Sequence, residues 1–387
     1  MPGPFDLAEI RRDARAVDAL DDFGPGPFEE PLGVLLESYA AAPLSDLGTH
    51  ILRGGVVRSL SMRLRATAWF RRHPEIADEE IAAPIVVVGM MRSGTTLMQR
   101  ILAADPRVTC AYGWEIGEVA PSLDTDWAAA DPRIAAARAQ EAQSRKFVPE
   151  LFAIHPMYAE EAEEEIMFLA DAFLSHVPEA SADVPAYRRW LDDQDFTPAY
   201  DHLHRMLQLL QWQKRRRGVL GDRWVLKTPA HLGYLDELAA RFPDAHLVHL
   251  HRDPVDTIPS GASLNTTLWR MHSDTVDPSR VGTQWIERMG FTNDRAMASR
   301  DSWEPERGVT DLLFEDVVAD PVHAVARVYD DIEVELTADA EGAMRSWVAN
   351  RPRETAGRPA YTAADFGLSE DAIRDRFRDY TDRYRPI

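Results

Sequence analysis

Three places in the chain hold residue types suited to contacting anions. The stretch 89–96 reads Gly89-Met-Met-Arg-Ser-Gly-Thr-Thr96. A glycine-rich loop between a strand and a helix presents backbone N–H groups and a helix N-terminus to an anion. Arg92 supplies a cation within it, and Ser93, Gly94, Thr95 and Thr96 supply donors. A Walker loop has Lys after its second glycine, and here that position is Thr95. Without that γ-phosphate clamp a kinase or NTPase is disfavoured. The second place is His251-Arg252-Asp253-Pro254, with Ser260 eight residues beyond Arg252. If 255–260 is helical, Ser260 lies two turns along and could share one phosphate with Arg252, while Asp253 caps the helix. The third is Lys227 in LKTP. Lysine occurs three times (146, 214, 227) among 43 basic residues, and Lys227 alone lies outside a basic run. A compact point charge in an arginine-dominated chain points to a site.

These residues need elements to hold them. The run 85–88 (IVVV) lacks alternation, as a strand buried on both faces should. Leu97, Ile101 and Leu102 begin a helical pattern that stops at Asp105-Pro106. Further strands are expected at 107–110, 224–226, 245–251 and 309–314, with helices at 232–242, 255–264 and 321–329. Strands alternating with helices imply a parallel sheet with ligands outside its carboxyl edge. Arg252 and Lys227 both fall at that edge. The fold class is α/β: a P-loop-type parallel sheet covered by helices on both faces. An N-terminal helical region spans 1–80, and an α/β domain spans 81–387, with a helical insert at about 128–218 and a helical tail. Within the insert Ile166, Leu169, Ala170, Phe173 and Leu174 share one helical face. The acidic run 160–165 complements the start of that helix, and the basic run 214–217 complements the end of another before Gly218.

Composition narrows the partners. Against 43 Lys and Arg stand 64 Asp and Glu, a net charge of −21 over 387 residues. Such a surface repels nucleic acid and anionic membrane, so an anion site must be built locally. One cysteine, Cys110, excludes an internal disulfide and a cysteine zinc cluster. No segment reads as a signal peptide or a membrane span. No metal-ligand spacing such as HExxH occurs, so no metal is expected. His231, His249 and His251 read as structural. The expected location is cytoplasmic.

The loop 89–96 together with the Arg252/Ser260 pair resembles sulfotransferases that use 3′-phosphoadenosine 5′-phosphosulfate (PAPS). The resemblance is greatest to the broad bacterial sulfotransferase family related to protein-tyrosine sulfotransferases. It rests on RSGTTLM, a following acidic motif, a K-x-P motif and the Arg/Ser pair, in that order over about 85–265. The stretches 312–329 and 360–380 are similar to later parts of that family. Met91 departs from the proline common there, and no arginine follows Ser260 closely. The resemblance implies that 89–96 holds the 5′-phosphosulfate, that Arg252 and Ser260 hold the 3′-phosphate, and that Arg92 and Lys227 contact the transferring group.

Sulfuryl transfer in line from a phosphate oxygen to a hydroxyl needs a cation at the leaving phosphate and a base at the acceptor. GWEIGE matches the acidic motif, making Glu115 the first choice of base, with Glu118 open. His155, in AIHPM, is the alternative, since cytosolic sulfotransferases use histidine. The acceptor is a small-molecule or lipid hydroxyl, with Trp114, Phe147, Met157, Tyr158, Phe168, Trp190 and Trp269 as available pocket linings. A homo-oligomer is left open. The competing readings are a P-loop small-molecule kinase and a non-catalytic nucleotide-binding protein.

Overall fold

The computed structural model describes residues 3–303, 308–350 and 361–385. Residue 360, the start of the tail stretch, and the first two residues of the N-terminal region lie outside them. Three helices open the chain: α1 (Leu7–Asp18), α2 (Glu29–Ala41) and α3 (Asp46–Arg72). Then come β1 (Ile85–Gly89), α4 (Thr95–Leu102), β2 (Val108–Thr109) and α5 (Gly113–Gly117). The insert follows as α6 (Pro132–Phe147), α7 (Pro149–Ile154), α8 (Ile166–Ala170), α9 (Val177–Ser181), α10 (Pro185–Asp192) and α11 (Thr197–Arg217). After it come β3 (Arg223–Lys227), a 3-10 turn (Pro229–Gly233), α12 (Leu235–Arg241), β4 (His246–His251), α13 (Pro254–His272) and α14 (Pro278–Ser302). The chain ends with β5 (Val309–Leu313), α15 (Phe314–Ala319), α16 (Pro321–Asp331), α17 (Ala338–Asn350), α18 (Glu370–Arg376) and α19 (Arg378–Tyr384).

The sheet is five-stranded, ordered β2-β3-β1-β4-β5, with every pair parallel. Alternate residues of β1 feed two cores. Val86 and Val88 join Trp224, Leu226 and Leu247 on one face, together with the N-terminal and insert helices. Ile85 and Val87 join Val225, Val248, Met98 and Val325 on the other. Burial of both faces is the reason the strand sequences lack alternation.

Three sequence expectations change. The helix expected over 166–174 ends at Ala170, and Phe173 takes a left-handed φ of 60°. The tail breaks at Phe377 into α18 and α19, with Ser369 capping the first. In contrast, α13 runs through Pro259 to His272, longer than its expected end at 264. Among the described residues no helix is long and apolar enough to cross a membrane.

Candidate active site

The loop after β1 has the features of an anion cradle. Gly89 has φ 152°, and a Cβ there would fall 2.6 Å from the Leu250 carbonyl oxygen. Gly94 has φ 93°, and its Cβ would fall 2.9 Å from the Phe314 ring. Glycine is needed at both positions because backbone and ring approach so closely. Arg92 is held in the left-handed region at φ 73°, and its carbonyl accepts from Arg252 Nη1 at 2.9 Å. The Ser93 hydroxyl is buried and has no partner among the described residues. No side chain caps α4, which starts at this loop. Unpartnered donors at a helix start suit an anion.

The strand order brings cations to this loop from two sides. β4 lies against one edge of β1 and β3 against the other. Arg252 follows β4 and stacks over Phe314 at 4.1 Å, and among the described residues its Nε has no partner. Asp253 caps α13 through the Val255 N–H at 2.8 Å, and Arg252 Nη2 pairs instead with Asp256 at 3.4 Å. Arg92 Nε donates to Ser260 Oγ at 3.1 Å, and its Nη1 donates to the Ile154 carbonyl at 3.0 Å. Lys227 ends β3 and is fully buried. Its ammonium donates to Thr96 Oγ1 at 3.1 Å and to Glu164 Oε1 at 2.6 Å. The structure thus brings together Arg92, Ser93, Gly94, Thr95, Thr96, Lys227, Arg252 and Ser260.

The base first chosen from sequence is elsewhere. Glu115 is buried, closes the N-terminus of α5 through the Tyr112 N–H at 2.8 Å, and pairs with Lys214 Nζ at 2.7 and 2.8 Å. It does not line the cavity that the loop opens into. Lys214, expected to complement the end of its helix, is the buried half of this pair. Glu118 pairs with Arg65, and it too is absent from the cavity wall. α5 turns both carboxylates toward cations away from the cavity wall. Removing one partner of a buried pair strands the other charge and costs about 3–5 kcal/mol. Glu115→Gln and Lys214→Met should therefore lower the melting temperature while the folded fraction keeps its kcat. A catalytic defect in Glu115→Gln without a shift in melting temperature would restore Glu115 to the site.

His155 does line the cavity, and so does Glu164. Sequence reasoning assigned the acidic run to a helix dipole, but α8 has only five residues and starts after it. The carboxylates instead take separate partners: Glu163 pairs with Arg100 at 3.5 Å, Glu164 with Lys227, and Glu165 with His231 at 2.8 Å. Glu164 Oε2 also accepts from Thr228 Oγ1 at 3.3 Å. Burial pushes the Glu164 carboxyl up, but the Lys227 ammonium, with His155, outweighs it and holds the group below the usual carboxylate range. Five carboxylates within six residues repel one another unless cations come from elsewhere. That crowding was the available signal.

The cavity measures about 960 Å³. Arg92, Thr96, Arg252 and Phe314 mark one end, and Met157, Met167, Leu268, Trp269, Trp285 and Met289 line the rest. Arg288 and Glu179, paired at 2.5 Å, also border it. Of the linings suggested by sequence, Met157, Tyr158 and Trp269 face the cavity, and Trp114, Phe147, Phe168 and Trp190 do not. Among the described residues one cluster has metal-like spacing: His249, His251 and Asp311. Arg300 already occupies it, 2.6 Å from Asp311 Oδ1 and 3.2 Å from His249 Nδ1, so a guanidinium stands where a cation would. The Cys110 thiol is buried, which pushes its pKa up to about 12 and keeps it protonated.

The loop, the two flanking cations and the apolar cavity can be set beside known proteins. The model of the sulfotransferase family Sulfotransfer_3 matches residues 84–338, from just before β1 to the start of α17. The omega-hydroxy-beta-dihydromenaquinone-9 sulfotransferases Stf3 of Mycobacterium tuberculosis and Mycobacterium bovis are each 26% identical over 278 residues, 66% of this chain. The match spans 64% of those relatives' length. Sulfotransferase STF1 from Mycobacterium tuberculosis H37Rv superposes with a TM-score of 0.84 at 31% identity, over 96% of this chain and 98% of that one. STF9 from Mycobacterium avium gives 0.88 at 25% identity, over 98% and 97%. Since the family model matches residues 84–338, a span that contains the 89–96 loop, Lys227, Arg252 and Ser260, the chain belongs to the sulfotransferase family.

Proposed function

We propose that the protein transfers a sulfuryl group from PAPS to the hydroxyl of a large, mainly apolar acceptor, as a cytoplasmic enzyme. The observation that carries this reading is the cavity itself. Arg92, Arg252 and the 94–96 turn border one end, Glu164 borders the same cavity with its carboxylate 2.6 Å from the buried Lys227 ammonium, and apolar side chains line most of the remainder. PAPS supplies a sulfuryl group bound to a phosphate leaving group. The 89–96 loop with Arg92 would hold the 5′-phosphosulfate, and Arg252 with Ser260 would hold the 3′-phosphate. Lys227 neutralises charge that grows on the bridging oxygen. Glu164, rather than Glu115, accepts the acceptor's proton, and His155 is the second choice. The apolar lining favours a lipid-like alcohol. The name of Stf3, an omega-hydroxy menaquinone derivative's sulfotransferase, is consistent with such an acceptor.

The kinase reading meets a specific obstacle. In a Walker loop the Ser or Thr after the Lys offers its hydroxyl to Mg²⁺. Here that residue is Thr96, and its hydroxyl accepts from Lys227. A protein cation stands where the metal would. The test is transfer from labelled PAPS to a panel of apolar and polar alcohols, with and without EDTA, beside a thermal-shift comparison of PAP and ATP–Mg²⁺. Transfer insensitive to EDTA and a PAP-selective shift are expected. Transfer that needs Mg²⁺ and a shift with ATP alone would overturn the reading.

Removing the Arg252 guanidinium deletes a charge-assisted contact of about 1.5–3 kcal/mol. Arg252→Ala should weaken PAP binding by roughly 10- to 150-fold, with Ser260→Ala milder. Calorimetry on folded variants checks this, and unchanged affinity in both would remove the 3′-phosphate assignment.

A further inference from the structure

Beside the site lies a buried chain of polar groups that the chemistry above leaves unused. Glu165 is 1% exposed, His231 0% and Tyr200 1%. Glu165 Oε2 accepts the backbone N–H of Lys227 at 3.0 Å, and its Oε1 meets His231 Nε2 at 2.8 Å. His231 Nδ1 meets the Tyr200 hydroxyl at 2.8 Å. A neutral ring satisfies every atom when Tyr200 O–H donates to Nδ1 and Nε2–H donates to Glu165.

The topology explains why a carboxylate is needed there. β2 pairs with β3 only at Arg223 and Trp224, whereas β1 pairs as far as Lys227. The outer edge of β3 is thus unpaired just where Lys227 leaves the sheet. Glu165 takes the place of the missing strand, and its neighbour Glu164 takes the ammonium of the same lysine. Adjacent carboxylates therefore grip Lys227 at both ends. A buried carboxylate costs free energy unless its bonds are complete, and His231 with Tyr200 complete them.

We propose that Glu165, His231 and Tyr200 are positioning residues that fix Lys227 toward the transferring group. The proposal rests on the reading that Lys227 acts at the bridging oxygen. Tyr200→Phe leaves Nδ1 without its donor and loosens the chain, and Glu165→Leu removes the grip on the Lys227 backbone. A misplaced cation can cost up to about a hundredfold in rate, so kcat should fall with acceptor KM unchanged. Glu165→Gln should stay within a few-fold of wild type. Its amide oxygen still accepts from Lys227 N–H, its NH₂ donates to Nε2, and the ring reverses its tautomer.

The test is a double-mutant cycle read by PAP calorimetry on the full chain, with thermal melts confirming the fold and transfer from labelled PAPS to 1-dodecanol read in parallel. Glu165→Leu and Tyr200→Phe should weaken PAP binding in wild type, yet change nothing further in Lys227→Met. Additive losses in that background would reduce the chain to a structural role and overturn the proposal. So would a Glu165→Gln variant as impaired as Glu165→Leu. Wild type that binds PAP but transfers to no alcohol would sink the catalytic reading and leave the calorimetric cycle to decide the positioning role. Wild type that binds no PAP would overturn both.

Discussion

Glu164→Gln is expected to lower kcat by roughly 10²–10⁴-fold, the range for losing a positioned general base, while PAP binds as well as before or more tightly. The two effects separate because Glu164 would touch the acceptor proton and not the nucleotide. Its negative charge also faces Lys227 at 2.6 Å, so neutralising it frees the ammonium for an anion. The pH profile gives a second readout. Burial raises the Glu164 carboxyl, but Lys227, aided by His155, lowers it further than burial raises it. The free enzyme should therefore keep kcat/KM until pH falls below the ordinary carboxylate range. The folded state gains from the same depressed group above its unfolded pKa, and loses that gain as pH falls through the folded value. Acceptors with more acidic hydroxyls should partly rescue Glu164→Gln. An inactive His155→Ala beside a fully active Glu164→Gln would move the base to His155.

The sheet and its carboxyl edge were legible because hydrophobic periodicity and turn residues are local properties. The 85–88 strand, the glycine-rich loop and Lys227 at a strand end could be placed from their own neighbourhoods. So could Arg252 and Ser260, one just after β4 and the other in α13, eight residues on. Glu115 was misplaced because its partner, Lys214, is 99 positions away, and nothing local shows that a lysine in a basic run turns inward. Glu164 was missed for the matching reason. An acidic run beside an apolar segment looks like a helix start, and only the tertiary arrival of Arg100, Lys227 and His231 shows that each carboxylate has its own cation or ring. Irregular backbone over 155–165 carries this part of the wall, and periodicity says nothing about irregular backbone.

Lys227→Met should lower kcat by roughly 10²–10³-fold, the scale for removing one preorganised charge-stabilising group. Unlike Glu164→Gln, it should not be rescued by acidic acceptors, because in the proposed mechanism the missing charge serves the leaving phosphate. Methionine fills the buried stem space, so the loss reports the charge. Arginine is no substitute: the ammonium is fully buried between Thr96 Oγ1 and Glu164 Oε1, and a planar fork does not fit a point contact. The substitution also leaves Glu164 without its cation. Burial then acts on that carboxyl with less opposition, so its pKa rises and the acid limb of residual activity moves to higher pH. The variant should be less stable near neutrality by about 3 kcal/mol, the lower end for an unpaired buried charge, since the Glu164 side chain keeps 14% exposure. Protonation relieves that cost, so the gap in melting temperature from wild type should narrow as pH falls through the carboxylate range. A gap independent of pH, with the acid limb unmoved, would mean that Glu164 does not depend on Lys227. The paired roles assigned to them would then fail together.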